Sequence, residues 1–186
     1  MAQAVTQQSR NRTRLLVFLL IGAAVSLSLG VYGRVHDPSG QALVSLFFSS
    51  SINLKVWFAT VAFSLAIFQE LSAAKFYGKL GKGYGPTWLG RAHRVSGTLA
   101  FLFAVPVAYH CLWSLGFQSG ETRVLVHGLF GCLFFGALTA KVLVVRTPKM
   151  PKLALPALGG VVFTALTVLW LTSAFWFFRT VDFPGI

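Results

Sequence analysis

Five stretches of the chain are apolar over about the length of a bilayer crossing, and short polar segments separate them. They run over residues 15–33, 53–74, 95–115, 123–145 and 153–178. Roughly 20 apolar residues in a helix cross a hydrocarbon core, and a helix satisfies its own backbone hydrogen bonds where no water is present. The pattern predicts an all-α, polytopic integral membrane bundle of five transmembrane helices, forming a single membrane domain over residues 1–186. The last stretch is long enough to tilt or to extend past the interface.

The connections carry turn chemistry. Residues 34–52 open with the turn signal Asp37-Pro38-Ser39-Gly40 and continue into an amphipathic piece suited to the interface. Residues 75–94 are rich in Gly and Lys, 117–122 form a tight hairpin, and 146–152 are stiffened by Pro148 and Pro151. That hairpin predicts the third and fourth spans as antiparallel neighbours within a bundle made by helices 2 to 5. The basic N-terminal MAQAVTQQSRNRTR has no small-x-small cleavage site after its apolar run, so the first span is expected to be an uncleaved anchor.

Composition agrees: at 55% hydrophobic residues in 186, one soluble core could not bury them all. The net charge of +12, from 16 basic and 4 acidic residues, sorts by side. With the N-terminus inside, Arg10, Arg12, Arg14, Lys75, Lys79, Lys82, Arg91, Arg94, Lys141, Arg146, Lys149 and Lys152 lie inside, against Arg34, Lys55, Arg123 and Arg179 outside. Asp37, Glu121 and Asp182 fall outside as well. This is the positive-inside bias, so the basic excess is topology, no nucleic-acid partner is expected, and the C-terminus lies outside. A multi-pass location in a bacterial inner membrane is the expectation. Cys111 and Cys132 sit in apolar runs, and no CxxCH motif offers covalent haem attachment. Both thiols read as small buried apolar groups.

The chemistry that stands out is a pair of histidines. His110 and His127 flank the predicted hairpin at nearly equal depth, about 7 to 9 Å below the outer surface at the helical rise per residue. Two imidazoles at one level on adjacent antiparallel helices suit the two faces of a single haem b, which needs no covalent link. Gly128 and Gly131 beside His127 would let a porphyrin edge approach, Pro106 would bend the helix before His110, and Arg123 would pair a propionate. The competing reading is that both rings hydrogen-bond across helices. His36 reads as a surface residue in a turn, or as a substitute for one of the pair. His93 lies about 25 Å from His110 and cannot share its iron.

This two-histidine arrangement resembles the transmembrane b-type cytochromes, including ascorbate-reducible and ferric-reductase-like members. Where their pattern repeats, fourteen residues inward, stand Ser96 and Lys141, so the resemblance implies one outer haem. HRVSG at 93–97 is similar to a segment of the cytochrome b anchor subunit of succinate dehydrogenase. That likeness implies that Arg94 belongs to a quinone pocket, although Gly90 stands where that family has a serine. The five-span layout is also similar to small bacterial membrane proteins of unknown function.

Glu70 is the only acid inside an apolar span, with Arg91, Arg94 or Lys141 as candidate partners. Glu70, His93, Arg94 and Ser96 share one inner level and form a candidate quinone or proton site. Trp88, Trp113, Trp176 and Tyr84 read as interfacial belt residues, and Trp57 and Trp170 as packing within the bundle. The expected function is electron transfer between a quinol or membrane partner and an outer acceptor such as a soluble cytochrome. The alternative is a cofactor-free accessory or assembly subunit of a respiratory or photosynthetic complex. No inverted repeat points to a transporter.

Overall fold

A computed structural model describes residues 2–41, 44–81 and 85–181, with side chains from residue 7 onward. Lys82, Tyr84 and Asp182, which figured in the charge and aromatic patterns, lie outside the described residues. The helices are α1 (Ala2–Val35), α2 (Ser51–Phe76), α3 (Leu89–His110), α4 (Thr122–Arg146), α5 (Ala154–Trp170) and α6 (Trp176–Thr180). Two π-helical turns, Cys111–Leu115 after α3 and Leu171–Phe175 between α5 and α6, prolong the third and fifth spans. The result is a multi-pass membrane protein with five helices long and apolar enough to cross a bilayer. Leu20 and Leu27, about 70% exposed, show how much apolar surface faces outward, where only lipid can accommodate it.

The helices follow one another around the bundle in the order α1, α4, α5, α2, α3, and the π turn of the third span closes the ring against α1. This differs from the sequence expectation in two ways. The first span is part of the bundle, and α3 and α4 share no extensive backbone interface among the described residues.

Both differences trace to glycine. A Cβ on Gly22 would stand 2.5 Å from the Gly136 carbonyl oxygen, and one on Gly136 would collide with Gly22 and with the Ser26 hydroxyl. The two backbones therefore touch directly, which is how small residues bring membrane helices together. Ser26 Oγ adds a bond to the Cys132 carbonyl at 2.9 Å. The linker 116–121, which can reach about 20 Å when extended, bridges the third and fourth spans without drawing them together. Its Phe117 ring fills the space beside Gly128, and its Phe117 N–H bonds the Gly33 carbonyl at 2.6 Å.

α1 also starts earlier than its apolar run. Asn11, 7% exposed, donates to the Lys149 carbonyl at 2.6 Å, and Gln7 donates to Asn11 at 3.2 Å, so the polar extension is tied to the α4–α5 turn. The middle of the bundle is filled by Ala66, Phe134, Ala165 and Leu166. Phe101 and Phe135 meet edge to face at 6.4 Å, so α3 and α4 face each other through side chains. Between Val35 and Ser51 the described residues form no helix. The amphipathic piece is instead a strap, with Val44, Leu46 and Phe47 exposed.

Candidate functional site

At the end of the bundle that carries the 116–121 turn, hereafter the hairpin end, His110 is the last α-helical residue of its span. Its side chain is 8% exposed and makes no hydrogen bond among the described residues. It lines a recess of about 240 Å³ with Lys55 and Phe58 of α2, Pro106 and Tyr109 of α3, and Val44 and Leu46 of the strap. The wide π turn that follows frees backbone acceptors from helical service. The Trp113 and Ser114 carbonyls take bonds from Ser39 N (3.2 Å) and Gly40 N (3.1 Å), and Ser114 Oγ donates to the Gln41 carbonyl at 2.5 Å. The strap is thereby fastened over the His110 end of the span.

His127 lies five residues after the start of α4. Its Nδ1 is 3.0 Å from Thr172 Oγ1. The Thr172 hydroxyl donates to the Val168 carbonyl at 2.7 Å, so the tautomer that suits the contact carries its proton on Nδ1, with the Leu169 carbonyl as a further acceptor beside the ring. That tautomer has its lone pair on Nε2. A metal-ligating histidine is arranged in this way, with its other ring N–H donated to an outer acceptor that fixes tautomer and ring plane. Thr172 belongs to the π turn of the fifth span, and single π turns inside α-helices recur at functional sites.

The groups expected to surround a porphyrin fare differently. Gly131 faces Leu169 of the fifth span at 3.8 Å, as His127 faces Thr172, and Pro106 lies within a continuous helix beside the recess. Gly128 points away from that side, since a Cβ there would meet the Phe117 ring at 3.0 Å. Arg123 is also engaged elsewhere. It donates to the Thr172 carbonyl at 2.8 Å, pairs with Glu121 at 3.2 Å and lies over the Trp176 ring at 3.8 Å. The cation that shares the recess with His110 is Lys55. His36 is not a surface group: its ring is stacked on Tyr32 (5.0 Å) and tilted against Trp113 (4.7 Å), and its buried Nε2 has no partner among the described residues. Cys111 and Cys132 are free thiols. Trp170 packs on Phe63 at 4.8 Å and bonds Thr60, as expected of a packing residue.

The opposite, basic end holds a second polar cluster. His93 Nδ1 is 2.7 Å from Ser72 Oγ, which gives its own proton to the Phe68 carbonyl at 2.7 Å, the same hydroxyl–imidazole device as at His127. Gln69 donates to the His93 carbonyl and to Ser96 Oγ (2.7 Å), so the buried Ser96 is joined to α2. Glu70 borders a cavity of about 60 Å³ with Gln69, Gly97 and Phe134, and the charge it senses is that of Lys141. Arg94 is exposed on the flank of α3 and does not enter that cavity. Of the expected inner group, His93 and Ser96 are brought together and Glu70 lies close by on α2, while Gln69 and Ser72 complete the cluster. Gln69 drew no notice in the sequence beside its charged neighbour, although an amide among apolar residues in a membrane helix requires partners of its own.

The imidazole donors, one buried and unbonded and one with its tautomer fixed, fit a group that takes neutral nitrogen ligands. The hydroxyl–imidazole pairs at both ends are hydrogen bonds across helices, the competing reading of the sequence, and they also hold each ring in place. Searches among curated proteins and among solved structures return no match. One family model matches residues 15–185, and the chain belongs to that family, described as a family of unknown function (DUF6529).

Proposed function

We propose that the protein is a membrane b-type cytochrome whose single haem is held by His110 and His127 at the hairpin end. The observation that carries this reading is the contact of His127 Nδ1 with Thr172 Oγ1 at 3.0 Å, an arrangement that suits a ring offering Nε2 as a ligand, together with a buried His110 that makes no hydrogen bond among the described residues. Bound there, haem b would supply a one-electron couple. The chain's contribution is to hold two neutral imidazoles without covalent attachment, to exclude water with the strap, and to keep the ligating rings from turning.

The basic end faces the cytoplasm by the positive-inside bias, in a bacterial inner membrane, and the hairpin end faces an outer acceptor such as a soluble cytochrome. A quinol is the proposed donor at the basic end, where His93 keeps an Nε2 lone pair able to accept a hydroxyl proton.

The test is the absorption spectrum of the purified protein. A dithionite-reduced alpha band that disappears in both His110→Ala and His127→Ala supports the reading. A colourless, folded wild-type protein after expression with haem supply removes it.

A further inference from the structure

Near the basic end, the amide of Gln69 has one orientation open to it. Its Nε2 donates to the His93 carbonyl and to Ser96 Oγ at 2.7 Å, and because a carbonyl can only accept, the nitrogen is fixed on that side. Oε1 is turned toward Gly97, 3.0 Å from the place a Cβ would take, and no donor among the described residues reaches it. Gln69 and Gly97 both border the cavity of about 60 Å³ that α2, α3, α4 and α5 line together. Glu70 borders it as well and makes no salt bridge among the described residues. The other walls, among them Ala66, Phe134 and Leu166, are apolar.

Two acceptors, an amide oxygen and a carboxylate, therefore face one cavity whose side chains offer them no free proton. Buried acceptors left unpaired are costly, and a polar cavity of this size has room for about two to four waters. Of the charged groups on the helices packed around Glu70, Lys141 of α4 acts on it, His93 of α3 is held by Ser72, and Arg91 and Arg94 are exposed. No titratable residue occurs in α5. We infer that the cavity is a hydrated proton site, in which water donates to Gln69 Oε1 and Glu70 takes and releases a proton delivered from the basic end. The exchange passes a proton from hydronium to the carboxylate, leaving water and a carboxylic acid, and runs in reverse without any other reactant. Glu70 stands six residues before the end of α2, about 9 Å along the helix, a depth that a few waters span. Gly97 keeps the space, since a side chain there would displace the amide. This goes beyond the haem reading and does not draw on it.

The experiment uses the full chain in lipid nanodiscs. Phe134 is 4% exposed, so radiolytic hydroxyl labelling reaches it only if water lies beside it. It should be labelled in wild type and several-fold less in Gly97→Ala. Dicyclohexylcarbodiimide, which reacts with protonated carboxyl groups in apolar surroundings, should modify Glu70, with a rate that falls about tenfold per pH unit on the alkaline side and does not respond to sodium. An unlabelled Phe134 in wild type, or equal labelling in Gly97→Ala, overturns the inference. Protection of Glu70 by sodium overturns it in favour of an alkali cation. Modification of Glu70 only after Lys141→Met overturns it in favour of a structural ion pair. The wild-type measurements need no variant to fold, and a monodisperse elution profile qualifies each variant.

Discussion

Replacing Thr172 by valine probes the support beneath the proposed ligand without changing the volume of the side chain. In the native arrangement the hydroxyl accepts from His127 Nδ1 at 3.0 Å and donates to Val168 O at 2.7 Å. Valine keeps the β-branch and leaves the Thr172 carbonyl available to Arg123, so the clamp on the fifth span survives. What disappears is the acceptor that fixes the imidazole. An unpaired buried donor costs about 1–3 kcal/mol, which corresponds to roughly 10 to 100-fold in haem affinity, the same range found when the outer partner of a metal-bound histidine is removed. The assay is haem retention and optical titration of Thr172→Val against wild type and Thr172→Ser, the last of which should restore affinity. The reduction potential serves as an independent readout, since a less basic imidazole stabilises the oxidised iron less. Thr172→Val with wild-type affinity and potential would refute the argument that this hydroxyl positions a ligand.

Other consequences follow from packing. Gly136→Leu should destabilise the protein by about 1–3 kcal/mol through the forced separation of α1 from α4, while Gly159→Ala, with open space around it, should be neutral; thermal unfolding in detergent compares them. Gln69→Leu should cost about 1–3 kcal/mol in the same assay by stripping Ser96 and the His93 carbonyl of a partner, and should leave haem content unchanged. Gly128→Ala should respond to the ring beside it: Phe117→Leu, which withdraws that ring, should recover stability lost to Gly128→Ala, as a double-mutant cycle would show.

The crossing helices were legible in the sequence because a lipid solvent demands long apolar runs, and the ends of the second, fourth and fifth spans fell near the described boundaries, while the first and third begin earlier than their apolar runs. The order of helices around the bundle was not legible. With lipid outside and apolar side chains inside, the polar face that would orient a soluble helix is weak, and backbone contact at Gly22 and Gly136 decides the neighbours. Thr172 was hidden for a related reason: a π turn shifts the register of the fifth span, so a 3.6-residue wheel does not direct its hydroxyl at His127. Arg123 and Glu70 attracted attention as charges, whereas the side-chain bonds to the His127 and His93 rings and to Ser96 are made by Thr172, Ser72 and Gln69, which carry none.

The central claim is that His110 and His127 serve one iron, and chemical rescue tests it most directly. His110→Gly and His127→Gly should each lose the six-coordinate low-spin spectrum of the ferric protein, and millimolar imidazole should restore it in both, because each substitution opens a slot shaped for one ring. If either variant keeps its low-spin spectrum without added imidazole, that histidine is not a ligand and the account of the hairpin end is contradicted.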